Sequence, residues 1–227
     1  MKIIDIIILM IILSVAITGG KNGFFKQTVI LVGTILSFLL AYLFKDPIAN
    51  FLSYNLPFFK FKGSIEGLTS LNIVMYQLIA FLLIFVFLIA VVVVLVKITN
   101  VFEKILKFTV VLGIPSKILG FIVGILEGYV IVFCALFFLK QPAFNLKILE
   151  DSNLAPIIVN SSPILSNVVS KTNDAIDDIY KLVKDYNENE KDETNEQIID
   201  ILLDYKIINQ DYLNKLDEKG KITLKVE

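Results

Sequence analysis

A single glutamate, Glu127, stands among apolar residues in the stretch GFIVGILEG (residues 120–128). A charged side chain at the centre of a bilayer costs about 2.5–3.5 kcal/mol on insertion scales, so such a residue is a candidate functional site. It could line an ion path, carry a proton, hydrogen-bond to a neighbouring helix or reach an interface. Because no basic residue lies inside another apolar run to pair with it, we favour a protonated or interhelically bonded side chain.

The same stretch has a glycine at every fourth position, which places all three glycines on one face of a helix. They are Gly120, Gly124 and Gly128. A second apolar run carries small residues at the same spacing, namely Gly33, Ser37 and Ala41. Small residues let the backbones of membrane helices approach closely. We therefore predict that these two faces pack against each other.

Other residues that could carry chemistry are few. The chain has no histidine, which excludes histidine-based zinc sites and Ser-His-Asp triads. Phosphate-binding loops and the G-x-S-x-G and H-E-x-x-H patterns are also missing. Asp174, Asp177 and Asp178 lack the calcium-loop pattern and are typical of a solvated helix face, and Cys134 lies in an apolar run as a small apolar residue. We predict no catalytic, metal or cofactor site, and so no enzyme.

The elements that carry these residues are long apolar runs. Hydrophobic residues make up 56% of the 227 residues, more than the roughly 45–50% of a soluble domain. A membrane-spanning helix needs about 20 apolar residues. Four runs approach or exceed that length: Ile3–Thr18, Thr28–Phe44, 73–96 and 118–139. The sequence predicts an all-α integral membrane protein with four transmembrane helices, the second of them closed at Lys45-Asp46-Pro47.

Two connecting segments have an interfacial composition. Residues 51–67 are aromatic, are broken by Pro57 and Gly63, and carry lysines, whose long stems suit the headgroup region. Residues 97–115 place apolar side chains on one face with lysines beside it, as in an amphipathic interfacial helix. For both segments the alternative is a plain connecting loop.

Charge divides the chain at about residue 140. Residues 1–140 have a net charge of +6 and residues 141–227 a net charge of −7. Helical spacing predicts a long amphipathic helix within 162–186, a second helix opening with a capping box from Thr194 to Gln197, and a short helix at 211–216 that ends at Gly220. We predict a membrane domain at 1–140 and an acidic, amphipathic-helical tail at 141–227, which does not suit nucleic acid.

Lysine placement decides the orientation in the membrane. The lysines divide six against six between the two sides, but the first loop carries Lys21 and Lys26 and no acid. We place that loop in the cytoplasm, which puts the N-terminus and the tail outside. The first run could instead be a secretory signal, but Asp5 interrupts its start and no A-x-A-like cleavage site comes after it.

Three stretches resemble the colicin V production protein (CvpA) family: IIDIIILMIILSVAITGGKNGFFKQ, LSFLLAYLFKDPIANFL and LGIPSKILGFIVGILEGYVIVF. LEDSNLAPIIVNSSPILS also resembles the segment after the last spanning helix of some members. The resemblance implies a four-helix inner-membrane protein, linked by name to colicin V production or export and to envelope maintenance. Some members carry an external trypsin-like protease after the helices, which implies an external tail here. That activity does not carry over, because this tail has no histidine.

We therefore expect a non-enzymatic scaffold or accessory protein of the cell membrane. Its partners would be the lipid bilayer and, through the tail, a second copy or a protein of the envelope or of secretion. The alternative is a small transporter or channel subunit in which Glu127 lines an ion or solute path.

Overall fold

The structure, a computed structural model, describes residues 2–105, 113–140, 152–162 and 165–222. Within these ranges the regular secondary structure is helical and includes no strand, so the predicted all-α class is confirmed. The eight α-helices are α1 (Ile3–Asn22), α2 (Phe24–Asn55), α3 (Leu71–Ile105), α4 (Gly113–Leu139), α5 (Leu154–Ser161), α6 (Leu165–Lys184), α7 (Lys191–Asp204) and α8 (Gln210–Glu218).

Four of these helices are long and apolar enough to cross a membrane. The qualifying stretches are Ile3–Asn22, Phe24–Asn55, Leu71–Ile98 and Ile114–Leu139. Exposed large hydrophobic side chains lie along all four, whereas after Leu139 the described residues include a single one, Ile157. In lipid the backbone must satisfy its own hydrogen bonds, which is why these β-branched runs are helical. The prediction of four transmembrane helices is confirmed.

The predicted end of the second span is wrong. α2 does not stop at Lys45-Asp46-Pro47 but continues through Pro47 to Asn55. In water an internal proline costs a helix about 3 kcal/mol. In membrane helices it is tolerated, because neighbouring groups and local adjustment satisfy the backbone groups that it frees.

The two connecting segments differ from each other. α3 continues to Ile105, so the first part of 97–115 prolongs a spanning helix, while residues 106–112 lie outside the described part. Between α2 and α3, residues 56–70 form a loop with one short 3₁₀ turn at Gly63–Ile65. Residues 51–55 therefore belong to α2 and the rest of 51–67 is a loop, while its position in the membrane interface stays a prediction.

The described residues form two compact units. The first draws on 1–43, 83–137 and 147–162. Its centre is the fully buried Phe38 of α2, which makes edge-to-face contacts with Phe85 of α3 and with Phe133 and Phe137 of α4, at centroid distances of 5.5–6.4 Å. Edge-to-face pairs at these distances are favourable, so Phe38 joins three helices.

The second unit draws on 44–82, 138–146 and 163–227. Its apolar core brings α6, α7 and α8 onto the loop between α2 and α3 and onto the first turn of α3. The fully buried members are Leu68, Leu71, Ile73, Ile179, Ile198, Leu213 and Leu216. The C-terminal helices thus bury their apolar faces against a segment more than 100 residues earlier in the chain, instead of forming a core alone.

Asparagine and tyrosine side chains fix that loop. Asn195 of α7 accepts a hydrogen bond from the Ser70 backbone N–H (2.8 Å) and donates one to the Gly67 carbonyl (3.0 Å). Asn72 accepts from the Phe59 N–H (2.6 Å) and donates to the Phe59 carbonyl. The Tyr76 hydroxyl donates to the Pro57 carbonyl (2.7 Å). These bonds satisfy backbone groups that a loop otherwise leaves to water.

The predicted tail helices are mostly confirmed. α6 and α8 lie where the spacing places them, and Gly220 follows α8 with a left-handed φ of 63°. The capping box is wrong, because α7 begins at Lys191 and the Thr194 hydroxyl donates to the Glu190 carbonyl from inside the helix. The predicted division at residue 140 differs from the observed units, which place 44–82 with the C-terminal helices.

We expect Ile198→Ala to loosen α6–α8 from the loop. Ile198 is fully buried in the second unit's core, and truncating a buried isoleucine costs about 2–5 kcal/mol. Limited proteolysis of the detergent-solubilised protein should cut the C-terminal helices faster. Asp200→Ala, at an exposed position on the same helix, is the control. Equal protection of the two variants would contradict a shared core.

Candidate functional site

The three glycines of α4 form a face, called here the glycine face (Gly120, Gly124 and Gly128), that lies directly on α1. A Cβ added at Gly124 would lie 2.8 Å from the Ala16 Cα and 2.9 Å from the Val15 carbonyl oxygen. One added at Gly128 would lie 2.8 Å from the Ile12 Cα. At Gly120 the contact is with the Gly19 carbonyl. The two backbones touch, so any side chain here would force them apart.

The predicted partner of the glycine face is wrong. Its neighbours are all on α1 or at Gly23, which comes just after that helix, and Gly33 of α2 faces Val92 of α3 instead, with 2.7 Å between a built Cβ and Val92 Cγ1. Ser37 and Ala41 are buried in α2. Spacing shows which face of a helix can approach another backbone but does not select among the helices that could receive it.

Glu127 is hydrogen-bonded across helices, as predicted. The side-chain amide of Gln27 on α2 donates to Glu127 Oε2, and Asn22 at the end of α1 donates to Gln27 Oε1 (2.9 Å). Gln27 is 1% exposed and Glu127 7% exposed. The three side chains form one hydrogen-bonded chain from the α1–α2 turn to the interior of α4. The Gln27 amide bridges its two partners by donating one N–H to Glu127 and accepting from Asn22 at its oxygen.

A second intramembrane pair joins α2 and α3 in the second unit. Lys45 is buried, and its ammonium donates to Gln77 Oε1 (2.8 Å) and to Asp46 Oδ1 (2.9 Å). The Asp46 side chain is 56% exposed. Because α2 continues past Pro47, Lys45 lies within the helix and not at its end. A buried lysine inside a span needs such partners.

Asp5 in the first turn of α1 caps the N-terminus of α5. Its Oδ1 accepts hydrogen bonds from the Ser152 hydroxyl (2.7 Å) and from the backbone N–H groups of Asn153 and Leu154 (both 3.2 Å). Ser152 in turn accepts from the Ala155 N–H. A carboxylate suits this position because the first N–H groups of a helix have no partner within it and carry partial positive charge.

The other end of α5 lies beside the middle of α4. The Ser162 and Tyr129 hydroxyls are hydrogen-bonded (2.9 Å between oxygens). Tyr129 is ten residues before the end of α4, or about 15 Å of helix rise. α5 therefore runs alongside α1 and α4 and not beyond their ends. This short segment, which belongs to the predicted acidic tail at 141–227, is part of the first unit.

Two of the three aspartates of α6 form ion pairs. Asp177 forms an ion pair with Lys140 (2.8 Å), and Asp178 one with Lys181 (2.8 Å). The Tyr205 hydroxyl also donates to Asp178 (2.8 Å). The hydrogen bonds from Lys181 and Tyr205 hold the pKa of Asp178 below its ordinary value, and the same carboxylate raises the pKa of Tyr205. These carboxylates therefore connect helices to one another. The single cysteine, Cys134, is buried in α4.

Sequence reasoning missed four polar partners: Asp5, Gln27, Lys45 and Gln77. Each lies near the end of an apolar run, where a polar residue suggests an ordinary boundary. One signal was available for Lys45, because the apolar residues after Pro47 keep a helical spacing. The position of Asp5 opposite α5 had no local signal, since it depends on a contact across almost 150 residues.

We expect Gly124→Ala to destabilise the first unit. By propensity alone, alanine should stabilise a helix by about 1 kcal/mol relative to glycine. Here its methyl group would lie within 2.8–2.9 Å of the α1 backbone, and overpacking typically costs about 1–3 kcal/mol. The measurement is the midpoint temperature of thermal unfolding in detergent, monitored by the helical signal in circular dichroism.

Gly20→Ala is the matched control. A Cβ at Gly20, which is also helical, would have its nearest neighbour at an ordinary 3.5 Å. This variant should unfold at the wild-type temperature or slightly above it. A Gly124→Ala protein as stable as Gly20→Ala would show that the glycine face does not need its close approach.

Comparison with known proteins places these elements in a family. The family model described as Colicin V production protein matches residues 4–163, which takes in α1–α5 and ends before α6. The chain is also 30% identical over 174 residues to the "Uncharacterized transmembrane protein YshB" of Bacillus subtilis (strain 168), an alignment that covers 74% of this chain and 96% of that protein. No solved structure matches.

The match covers well over half of the chain, including both polar pairs, the glycine face and the α5 cap. It also agrees with the resemblance that the three apolar stretches carry. This membrane protein with four spanning helices belongs to the Colicin V production protein family.

Proposed function

We propose that the protein is a non-enzymatic accessory or scaffold protein of the cell membrane, acting in the production or export of a secreted toxin and in envelope maintenance. The proposal rests on one observation. Glu127, the residue whose charge most suggests a functional site, is hydrogen-bonded to Gln27 on a neighbouring helix, and the glycine face on the helix of Glu127 packs against α1. The chemistry of Glu127 serves helix association. The link to toxin production rests on the family's description.

The alternative is a transporter or channel subunit with Glu127 on its path. One observation favours it: the chain Asn22–Gln27–Glu127 leads from the α1–α2 turn into the interior of α4. Glu127 is the member of that chain that can take up and release a proton, as intramembrane carboxylates on proton paths do. A scaffold needs only the bond between Glu127 and Gln27, whereas a proton path also needs a group that can take up and release the proton.

Glu127→Gln separates the two proposals. Glutamine is nearly the same size and still offers an oxygen to the Gln27 amide, but it cannot titrate. For a scaffold we expect wild-type abundance in the membrane and full complementation of a deletion strain, scored by secreted toxin and by envelope permeability. Normal abundance with lost complementation and lost proton flux in proteoliposomes would establish the path instead.

Two further variants control this experiment. Glu127→Leu leaves the buried Gln27 amide without its acceptor, which costs about 1–3 kcal/mol, so abundance should fall. Leu126→Ala, at the neighbouring position that is 53% exposed, should leave both readouts unchanged. A deletion strain with normal toxin secretion and a normal envelope would contradict the proposed role itself.

The proposed orientation places the N-terminus and α6–α8 outside the cell. It is supported by the short first loop, whose only charged residues are Lys21 and Lys26, since positive loops stay in the cytoplasm. Four crossings put both ends of the membrane part on one side. An external acidic region then suits a partner in the envelope or in secretion, or a second copy of the chain.

The orientation can be read by labelling a single cysteine. In a Cys134→Ser background, Asn189→Cys introduces a thiol at an exposed position between α6 and α7. Intact cells should react with a membrane-impermeant maleimide. Protection in intact cells, with labelling only after lysis, would place α6–α8 in the cytoplasm and reverse the proposed orientation.

A further inference from the structure

A groove of about 640 Å³ lies in the second unit where the loop after α2 meets the C-terminal helices. We call it the lysine–phenylalanine groove. Its lining includes three phenylalanine rings of the loop and lysines from three separate segments. These residues are Phe58, Phe59, Phe61, Lys60, Lys191 and Lys221.

Local contacts hold two of the lysines at the groove. The Lys221 ammonium donates to the Leu56 carbonyl (2.9 Å) and lies 5.6 Å from the centre of the Phe58 ring. The Lys191 stem passes over Gly67, whose φ of 84° lies in the left-handed region and whose built Cβ would be 3.4 Å from Lys191 Cδ. An ammonium has three donors, and toward the described residues Lys221 uses one of them in a hydrogen bond.

The local charge is opposite to that of the surrounding region. Residues 141–227 have a net charge of −7, yet two of their lysines converge on this groove, together with Lys60 of the loop. Among the described residues, the lining contains one acid, Glu66. Three ammonium groups against one carboxylate leave a positive site, and the charge that complements it is an anion.

The loop follows a helix that is long enough to reach the membrane surface. α2 has 32 residues, or about 48 Å of helix, which exceeds a hydrocarbon core of about 30 Å and matches the roughly 40–45 Å that includes the headgroups. Exposed apolar side chains continue from Phe51 on α2 to Leu56 and Phe59 beyond its end. Exposed aromatic residues beside lysines are typical of the headgroup region.

We propose that the lysine–phenylalanine groove binds the headgroup of an anionic phospholipid. The lysines would contact the phosphate, and the phenylalanine rings would contact the glycerol and the first carbons of the acyl chains. Binding would attach α7 and the residues after α8 to the membrane surface. The inference is independent of the proposed accessory role.

The test is calorimetric titration of the full-length protein in detergent with short-chain phosphatidylglycerol. Short-chain phosphatidylcholine is the neutral comparison, and inorganic phosphate tests for a soluble anion. We expect phosphatidylglycerol to bind most tightly. A lysine near an anionic surface is worth about 1 kcal/mol, so Lys60→Gln with Lys191→Gln should weaken that binding roughly tenfold or more.

The matched control is Lys171→Gln with Lys206→Gln, which removes the same charge from the second unit at positions outside the groove. This control pair should change the affinity for phosphatidylglycerol by less than about threefold. Phe59→Ser, checked for wild-type helicity, should weaken phosphatidylglycerol but not inorganic phosphate. Equal binding of the two lipids, equal loss in both lysine pairs, or phosphate binding as tightly as phosphatidylglycerol would overturn the proposal.

Discussion

The structure depends on one close approach, that of the α1 and α4 backbones along the glycine face. In lipid, apolar bulk gives helices no reason to associate, whereas backbone contact does. With α1 against α4, Gly19 and Gly23 bring the α1–α2 turn onto α4 as well. Gln27, just after that turn, then reaches Glu127, and Asp5 at the other end of α1 caps α5. Both polar sites of the first unit are consequences of this contact.

Two of the buried charges, Glu127 and Lys45, are each bonded to a neutral amide on a neighbouring helix, and Lys45 also pairs with the half-exposed Asp46 beside it. Glu127 has Gln27, and Lys45 has Gln77. A buried ion pair must overcome the desolvation of two ions, whereas an amide supplies a donor or an acceptor at the cost of one. These pairs specify which helix faces meet.

Much of this fold was predictable, since apolar length identified four spans and the spacing of the glycines identified their shared face. The helix that packs against this glycine face could not be predicted, because α1 and α2 both offer small residues at suitable spacing. The extension through Pro47 was missed because proline ends helices in water more firmly than in lipid. Ile65 lies in the segment predicted to be interfacial but is buried in the second unit's core, since an aromatic, lysine-rich loop has the same composition whether it faces lipid or packs under other helices.

The second unit joins sequence from both sides of the family boundary. Leu68 and Leu71 lie inside the matched region, while Ile198 and Leu213, which bury them, lie beyond residue 163. Without α6–α8 these loop leucines would be exposed, and each buried leucine contributes about 1.5–3 kcal/mol relative to exposure. The C-terminal helices are therefore part of how this chain stabilises the connection between α2 and α3. A family member that lacks them must cover the same loop differently or carry polar residues in it.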